Sequence, residues 1–176
     1  LSSYYQQRLL QKINVFDVER SFGTSRKAVL GDIQLSGKID RIDLLDSKKG
    51  LLRVCDYKTG KPKNRGGIEA TEKSYQKDFS ERELNLPASI RGPYKRQLIF
   101  YKILLDLDRN INPNWQLSEA VFDFVEPKEK GSGKHILHAY SITDEEVADL
   151  KKLIKEVMQE IRSLSFLDAL PPARAK

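Results

Sequence analysis

Two aspartates and a lysine carry the chemistry most plainly written in this sequence: Asp40 in LSGKIDRID (35–43), and Asp56 and Lys58 in VCDYKTGK (54–61). DSKKG (46–50), a polar turn closed by glycine, lies between them, so the two segments read as the strands of a hairpin. With the turn centred on Lys48, Leu45 faces Leu51 and Asp40 faces Asp56. A bulge near Gly37 would move that register by one residue. Facing residues on antiparallel strands have Cβ atoms about 4.5 to 5.5 Å apart, and like charges there repel, so two carboxylates in this arrangement call for a cation. Asp56 and Lys58 are two residues apart and project from one face of their strand, with the ammonium beside the carboxylate pair.

A pair of aspartates completed by water suits Mg²⁺ or Mn²⁺, which prefer hard oxygen donors and leave positions for a substrate phosphate. Such an ion acidifies water and neutralises charge developing on a phosphoryl oxygen, and a neighbouring ammonium stabilises the same transition state. The residue types therefore point to metal-assisted hydrolysis of a phosphodiester. The competing account is a solvated hairpin decorated with charge, since D-x-K is a short pattern in a chain of which 32% is Asp, Glu, Lys and Arg.

The elements that must position these groups can be read from hydrophobic period. Leu1 to Lys12 has helical spacing, Ile13 to Glu19 alternates like a strand, and Val29 to Leu45 is a long extended segment with Gly31 and Gly37 marking bends or bulges. Leu51 to Lys58 is the second hairpin strand. Residues 61–92 have no sustained period and form a long, charged connection or insertion. Tyr94, Leu98, Tyr101 and Leu105 form a helical stripe after Pro93, and Gln116 to Val125 and Ile136 to Ile142 are alternating strands. Thr143 and Glu146 form a capping box for a last helix with a stripe of Val147, Leu150, Ile154, Val157, Ile161 and Leu164, and Pro171-Pro172 lies beyond its end. The order predicts an α/β fold with a mixed sheet flanked by helices.

At 176 residues the chain supports one domain with a real core, and 39% hydrophobic residues argue against disorder. The single cysteine, Cys55, excludes a disulfide framework, a four-cysteine zinc site and an iron–sulfur cluster within this chain, and fits an intracellular setting. No apolar run reaches the ~20 residues of a membrane helix. A net charge of +6 favours a polyanionic partner. A start at Leu1 and a single Met158 point to a piece of a longer protein.

Three stretches in the same order, LSGKIDRID, VCDYKTGK and RQLIFYKILL (96–105), resemble the G-x-I-D-R-[IV]-D, D-Y-K-[ST]-G and Q-L-x-x-Y motifs of RecB-like nucleases in the PD-(D/E)XK superfamily. The resemblance implies a restriction-endonuclease-like αβββαβ core over the whole of 1–176, with Asp40 and Asp56 as metal ligands, Lys58 as the catalytic lysine and the Tyr57 backbone carbonyl as a further ligand. It places Gln97 and Tyr101 on one face of the following helix as supporting or DNA-contacting residues, and Arg96 beside a phosphate; for Tyr101 the plain alternative is core packing, and for Arg96 a solvated helix charge. Many relatives carry a His or Glu ligand on the first helix, whereas Leu1 to Lys12 supplies only Gln6, Gln7 and Gln11; Glu19 resembles a recurring family glutamate and is the acidic candidate on the first strand, with a plain surface glutamate as the alternative.

The last helix, VFDFVEP and the missing start resemble the nuclease domain of UvrD/Rep-type superfamily 1 helicases, which implies DNA as substrate, a helicase motor in the same polypeptide or complex, and work in DNA repair or recombination at the nucleoid. The alternative from another class is a catalytically inactive DNA-binding or docking module of a helicase. GSGK (131–134) lacks the spacing of a phosphate-binding loop, and His135 and His138, an odd number of residues apart on a strand, face opposite sides and make a poor metal pair. The charge run 61–81, with Lys61, Lys63, Arg65, Lys73 and Lys77, could line a DNA path or simply be solvated.

Overall fold

The computed structural model describes residues 2–11, 13–77 and 79–164. Helix α1 (Ser2–Leu9) precedes strand β1 (Val15–Phe22), a small hairpin of β2 (Ala28–Leu30) and β3 (Ile33–Leu35), and the long strands β4 (Gly37–Asp46) and β5 (Leu51–Lys58). Three single-turn helices, α2 (Arg65–Ile68), α3 (Lys73–Gln76) and α4 (Glu81–Leu84), lead to α5 (Pro93–Asp106). Strands β6 (Gln116–Pro127) and β7 (His135–Tyr140) and helix α6 (Asp144–Ser163) complete the order. The main sheet runs β1-β4-β5-β6-β7, parallel only between β5 and β6, whose connection contains α5. This is the mixed α/β architecture expected from the sequence.

The faces of the sheet differ because β5 alternates. Leu52, Val54 and Asp56 point toward α5 and α6, while Arg53, Cys55 and Tyr57 point the other way, toward α1. Ile39, Ile42, Val54, Leu98, Ile99, Leu104 and Phe122 are buried together in the core. Gly37 at the start of β4 lets α5 approach: a Cβ there would lie 3.0 Å from Leu104 Cδ1 and 3.2 Å from Phe100 Cε1. Its role is close packing rather than the bulge expected of it.

Several expected boundaries move. β1 continues through Ser21 and Phe22, because the Arg20 guanidinium is buried against Asp108 at 2.7 Å and Phe22 is in the core. The extended segment from Val29 breaks at a Gly31-Asp32 turn into the β2–β3 hairpin before β4 begins. The β4–β5 register is the expected one from Arg41↔Cys55 to Leu44↔Leu52, but Leu51 pairs with Asp46 and not with Leu45. Asp46 accepts hydrogen bonds from the N–H groups of Lys48 and Lys49 at 2.9 and 3.0 Å, so the turn draws Asp46 into the ladder and leaves Leu45 exposed as a bulge. Gly50 closes this turn with φ +65°, where a Cβ would lie 2.4 Å from Trp115 Cδ1.

The charged connection is packed rather than free. Ile68 and Ile90 are fully buried, and α4 is tied to α6 by a bidentate Arg82–Glu160 pair at 2.7 and 2.8 Å. Isolated anchors of this kind leave no period in the sequence. In α6 the capping box is formed, with Val147 and Leu150 buried, but Ile161 and Leu164 at the far end of the stripe are exposed. The Pro171-Pro172 expectation lies outside the described residues.

Candidate active site

Asp56, near the end of β5, is buried, and its two carboxylate oxygens are treated differently. Oδ1 accepts hydrogen bonds from the Tyr101 hydroxyl at 2.6 Å and the Gln97 Nε2 at 2.8 Å, both from α5. Oδ2 is enclosed without a hydrogen-bond partner, although the Lys58 ammonium stands 2.7 Å away. A salt-bridge distance without hydrogen-bond geometry leaves that oxygen with unused acceptor capacity, which a buried carboxylate does not keep without cost.

Lys58 is steadied on three sides. Its Nζ donates to Gln97 Oε1 at 2.8 Å and lies over the rings of Phe122 (5.0 Å to the centroid) and Tyr94 (5.2 Å). Gln97 thus bridges the lysine and the aspartate with the two ends of one amide, and its Nε2 is also 2.7 Å from the Tyr101 oxygen. Burial, followed by the hydrogen bond to Asp56 and its charge, raises the Tyr101 pKa, so the phenol stays protonated and remains a donor. The helical spacing of Gln97 and Tyr101 delivers both to one carboxylate, and Tyr101 therefore does more than pack.

Asp40 lies one residue beyond the last β4–β5 pair, Arg41↔Cys55. Its Oδ2 accepts the main-chain N–H of Tyr57 at 2.9 Å, so a side chain takes up a donor that the ladder no longer uses. The Tyr57 side chain faces away from the site, where its hydroxyl accepts from Arg41. Structure thus brings Asp40, Asp56, Lys58, Gln97 and Tyr101 together around the end of β5.

Two expected members stand apart. Glu19 occupies the position on β1 between the pairs Val18↔Arg41 and Arg20↔Ile39, across from Asp40, but it has φ +53° and its exposed carboxylate is ion-paired with Lys38. A non-glycine residue in the left-handed region inside a strand is strained. Arg96 is engaged elsewhere, donating to Glu83 at 2.7 Å and to the Ile90 carbonyl at 3.1 Å. Burial pushes the Glu83 carboxyl upward, yet the bonds from Arg96 and from the Gly92 N–H hold it below its ordinary value, so Arg96 is committed to a structural pair. Gln7 serves the β7 edge instead, exchanging two hydrogen bonds with the His135 main chain at 3.0 and 3.1 Å. Sequence reasoning passed over Tyr94 and Phe122 as site residues. Tyr94 was legible as a neighbour of Gln97 and Tyr101 on one helix face, whereas nothing in the sequence marks Phe122.

The donor set fits a hard divalent cation. Two carboxylates, one with a buried oxygen left without a hydrogen bond, are what Mg²⁺ or Mn²⁺ takes from a protein when water and substrate complete its shell. Among the described residues no group of three His, Cys, Asp or Glu side chains converges, so a closed all-protein cage is not what is built here. Among the described residues no helix is long and apolar enough to cross a membrane.

No curated protein matches the chain. The family model for the PD-(D/E)XK nuclease superfamily matches residues 2–171. The five-stranded mixed sheet flanked by helices is consistent with the restriction-endonuclease-like fold of that family. With nearly its whole length matched, and with an aspartate, a second aspartate and a lysine gathered at the end of one hairpin, the chain belongs to the PD-(D/E)XK nuclease superfamily.

Proposed function

We propose that the chain is a Mg²⁺- or Mn²⁺-dependent deoxyribonuclease that hydrolyses phosphodiester bonds. The observation that carries this reading is the gathering of two carboxylates and a lysine at the end of β5: Asp56 is held through one oxygen by Tyr101 and Gln97 and stands 2.7 Å from Lys58, and Asp40 accepts the Tyr57 main-chain N–H beside it. Asp40 and Asp56 would hold the ion, with the Tyr57 carbonyl as a further ligand. When bound, the ion supplies charge neutralisation at the phosphoryl oxygen and acidifies water.

The side chains do the positioning. Tyr101 and Gln97 fix the plane of the Asp56 carboxylate, so its second oxygen faces one way. Lys58 directs its remaining ammonium protons at the reacting phosphate and water, where charge develops as the bond breaks. The net charge of +6 attracts the phosphate backbone. Its three RecB-like motifs favour DNA as the substrate and a superfamily 1 helicase motor as the partner, in repair or recombination at the nucleoid.

Incubating the protein with labelled single- and double-stranded DNA and Mg²⁺ or Mn²⁺ tests this directly. Cleavage is expected with the ion and not with a chelator, and Lys58→Ala should lower it by about a hundredfold or more while the protein stays folded. The second reading, an inactive DNA-binding or docking module, is favoured by α1, which brings no acidic residue to the site. Binding by the wild type without cleavage under any of these conditions would establish it.

A further inference from the structure

Lys63 is a second lysine beside the site, and it is placed in an unusual way. Its ammonium lies over the Tyr94 ring at 4.7 Å from the centroid and over the Tyr75 ring at 5.2 Å. Tyr94 is the same ring on which Lys58 rests at 5.2 Å. Two ammonium nitrogens on one ring are separated by no more than about 10 Å, close enough for contact with phosphates one or two nucleotides apart on one strand.

The two lysines differ in what balances them. Lys58 has Asp56, whereas among the described residues Lys63 has no carboxylate partner. Aromatic faces attract a cation without cancelling its charge, so the Lys63 ammonium is ordered yet still available to an anion. Its main chain is ordered as well. The Lys63 carbonyl is 3.0 Å from His138 Nε2 of β7, and Asn64, the next residue, caps α2 by accepting the Gly67 N–H at 2.8 Å. Burial lowers the His138 pKa, so at neutral pH the ring is uncharged and its Nε2–H donates to that carbonyl. Neighbouring cations behave otherwise. Arg65 lies over Tyr140, donates to the Ala139 carbonyl at 2.8 Å and pairs with Glu69 at 3.4 Å.

We infer that Lys63 is a positioning residue for the nucleic-acid strand: its ammonium, parked on Tyr75 and Tyr94, binds a backbone phosphate next to the one that reaches Lys58. The inference rests on the nuclease reading for the identity of the polyanion. It adds to that reading a fixed direction for the strand, from the end of β5 across Tyr94 toward the start of α2.

Binding of a labelled oligonucleotide in a chelator, where no cleavage occurs, tests it across a range of salt concentration. Wild type, Lys63→Gln, Lys63→Arg and Lys152→Gln are compared, Lys152 being an exposed lysine on α6. One lost phosphate contact lowers the slope of log affinity against log salt by about 0.7 to 0.9. Lys63→Gln should show that decrease with weaker binding at every sequence, Lys63→Arg should restore the slope, and Lys152→Gln should leave it unchanged. With metal present, Lys63→Gln should raise KM and leave kcat near the wild-type value. An unchanged slope in Lys63→Gln, an equal decrease in Lys152→Gln, or a wild type that binds no DNA would each overturn the assignment. A wild type that binds but never cleaves would end the nuclease reading alone, because the slope is measured without cleavage.

Discussion

Strands β4 and β5 carry acidic and basic residues on both faces of the sheet, and the two faces use them in opposite ways. Away from the site, Asp43 receives Arg41 and Arg53, each at 2.9 Å, and Asp123 is held by Arg8, at 3.0 and 3.2 Å to its Nε, and by the Tyr4 hydroxyl at 2.8 Å. Both carboxylates are 1% exposed, Asp43 between two guanidinium groups and Asp123 between one guanidinium and a phenol. On the other face Asp56 is equally enclosed, but its neighbours are neutral donors on one oxygen and a single ammonium near the other. Asp43 Oδ1 also lacks hydrogen-bond geometry, so the difference is one of charge: two guanidinium groups balance Asp43, whereas one lysine point charge stands beside Asp56 and Asp40 and leaves net negative charge for an ion. The same residue types therefore build a closed structural network on one face and an open candidate site on the other. Cys55, between them on β5, is a bystander: burial pushes its thiol up to about 12, so it is inert as a nucleophile.

The comparison is broken most decisively at Asp43. Asp43→Asn leaves the Arg41 guanidinium without a carboxylate and Arg53 with only Glu119 at 3.6 Å, and should cost roughly 3–5 kcal/mol in urea unfolding. Asp56→Asn keeps acceptors for Tyr101 and Gln97 and should cost far less stability while removing cleavage. Equal destabilisation by the two variants would show that the faces are built alike. A smaller effect sharpens the contrast: Tyr101→Phe removes one donor to Asp56 Oδ1, and the metal concentration giving half-maximal cleavage should rise about tenfold. An unchanged metal requirement would make Tyr101 a packing residue after all.

The smallest effect concerns pH. Burial holds the His138 pKa below its ordinary 6.5, against the raising influence of the Lys63 carbonyl. The unfolded chain therefore takes up this proton first as pH falls. Stability from this group is fully present above about pH 6.5 and declines below it, until the folded pKa is passed. His138→Gln should remove that part of the acid-side decline in urea midpoints, and an identical decline in the variant would assign it elsewhere.

Much of the fold and the gathering of the candidate site was legible, and the reasons are local. The alternation of LLRVCDYK and the DSKKG turn suffice for the β4–β5 register from Arg41 to Leu44, and the spacing of Tyr94, Gln97 and Tyr101 suffices to put them on one helix face. The Leu45 bulge was missed because it depends on Asp46 folding back on the turn, a preference that hydrophobic period does not express. The pairing of Arg96 with Glu83 was not legible because Glu83 comes from a segment with no period at all.

By itself the sequence determined the types and spacing of the chemical groups, the alternation that divides each strand into two faces, and the helical face that carries Gln97 and Tyr101. Only the tertiary structure decided which face of the sheet is covered by α5 and so which side chains join Asp40 and Asp56. The register pairs the two strands, but period alone does not say which face receives α5 and which receives α1. That choice follows from long-range packing: α5 buries its apolar stripe on the Val54 side, and Tyr4 and Arg8 of α1 close over Asp123 on the other.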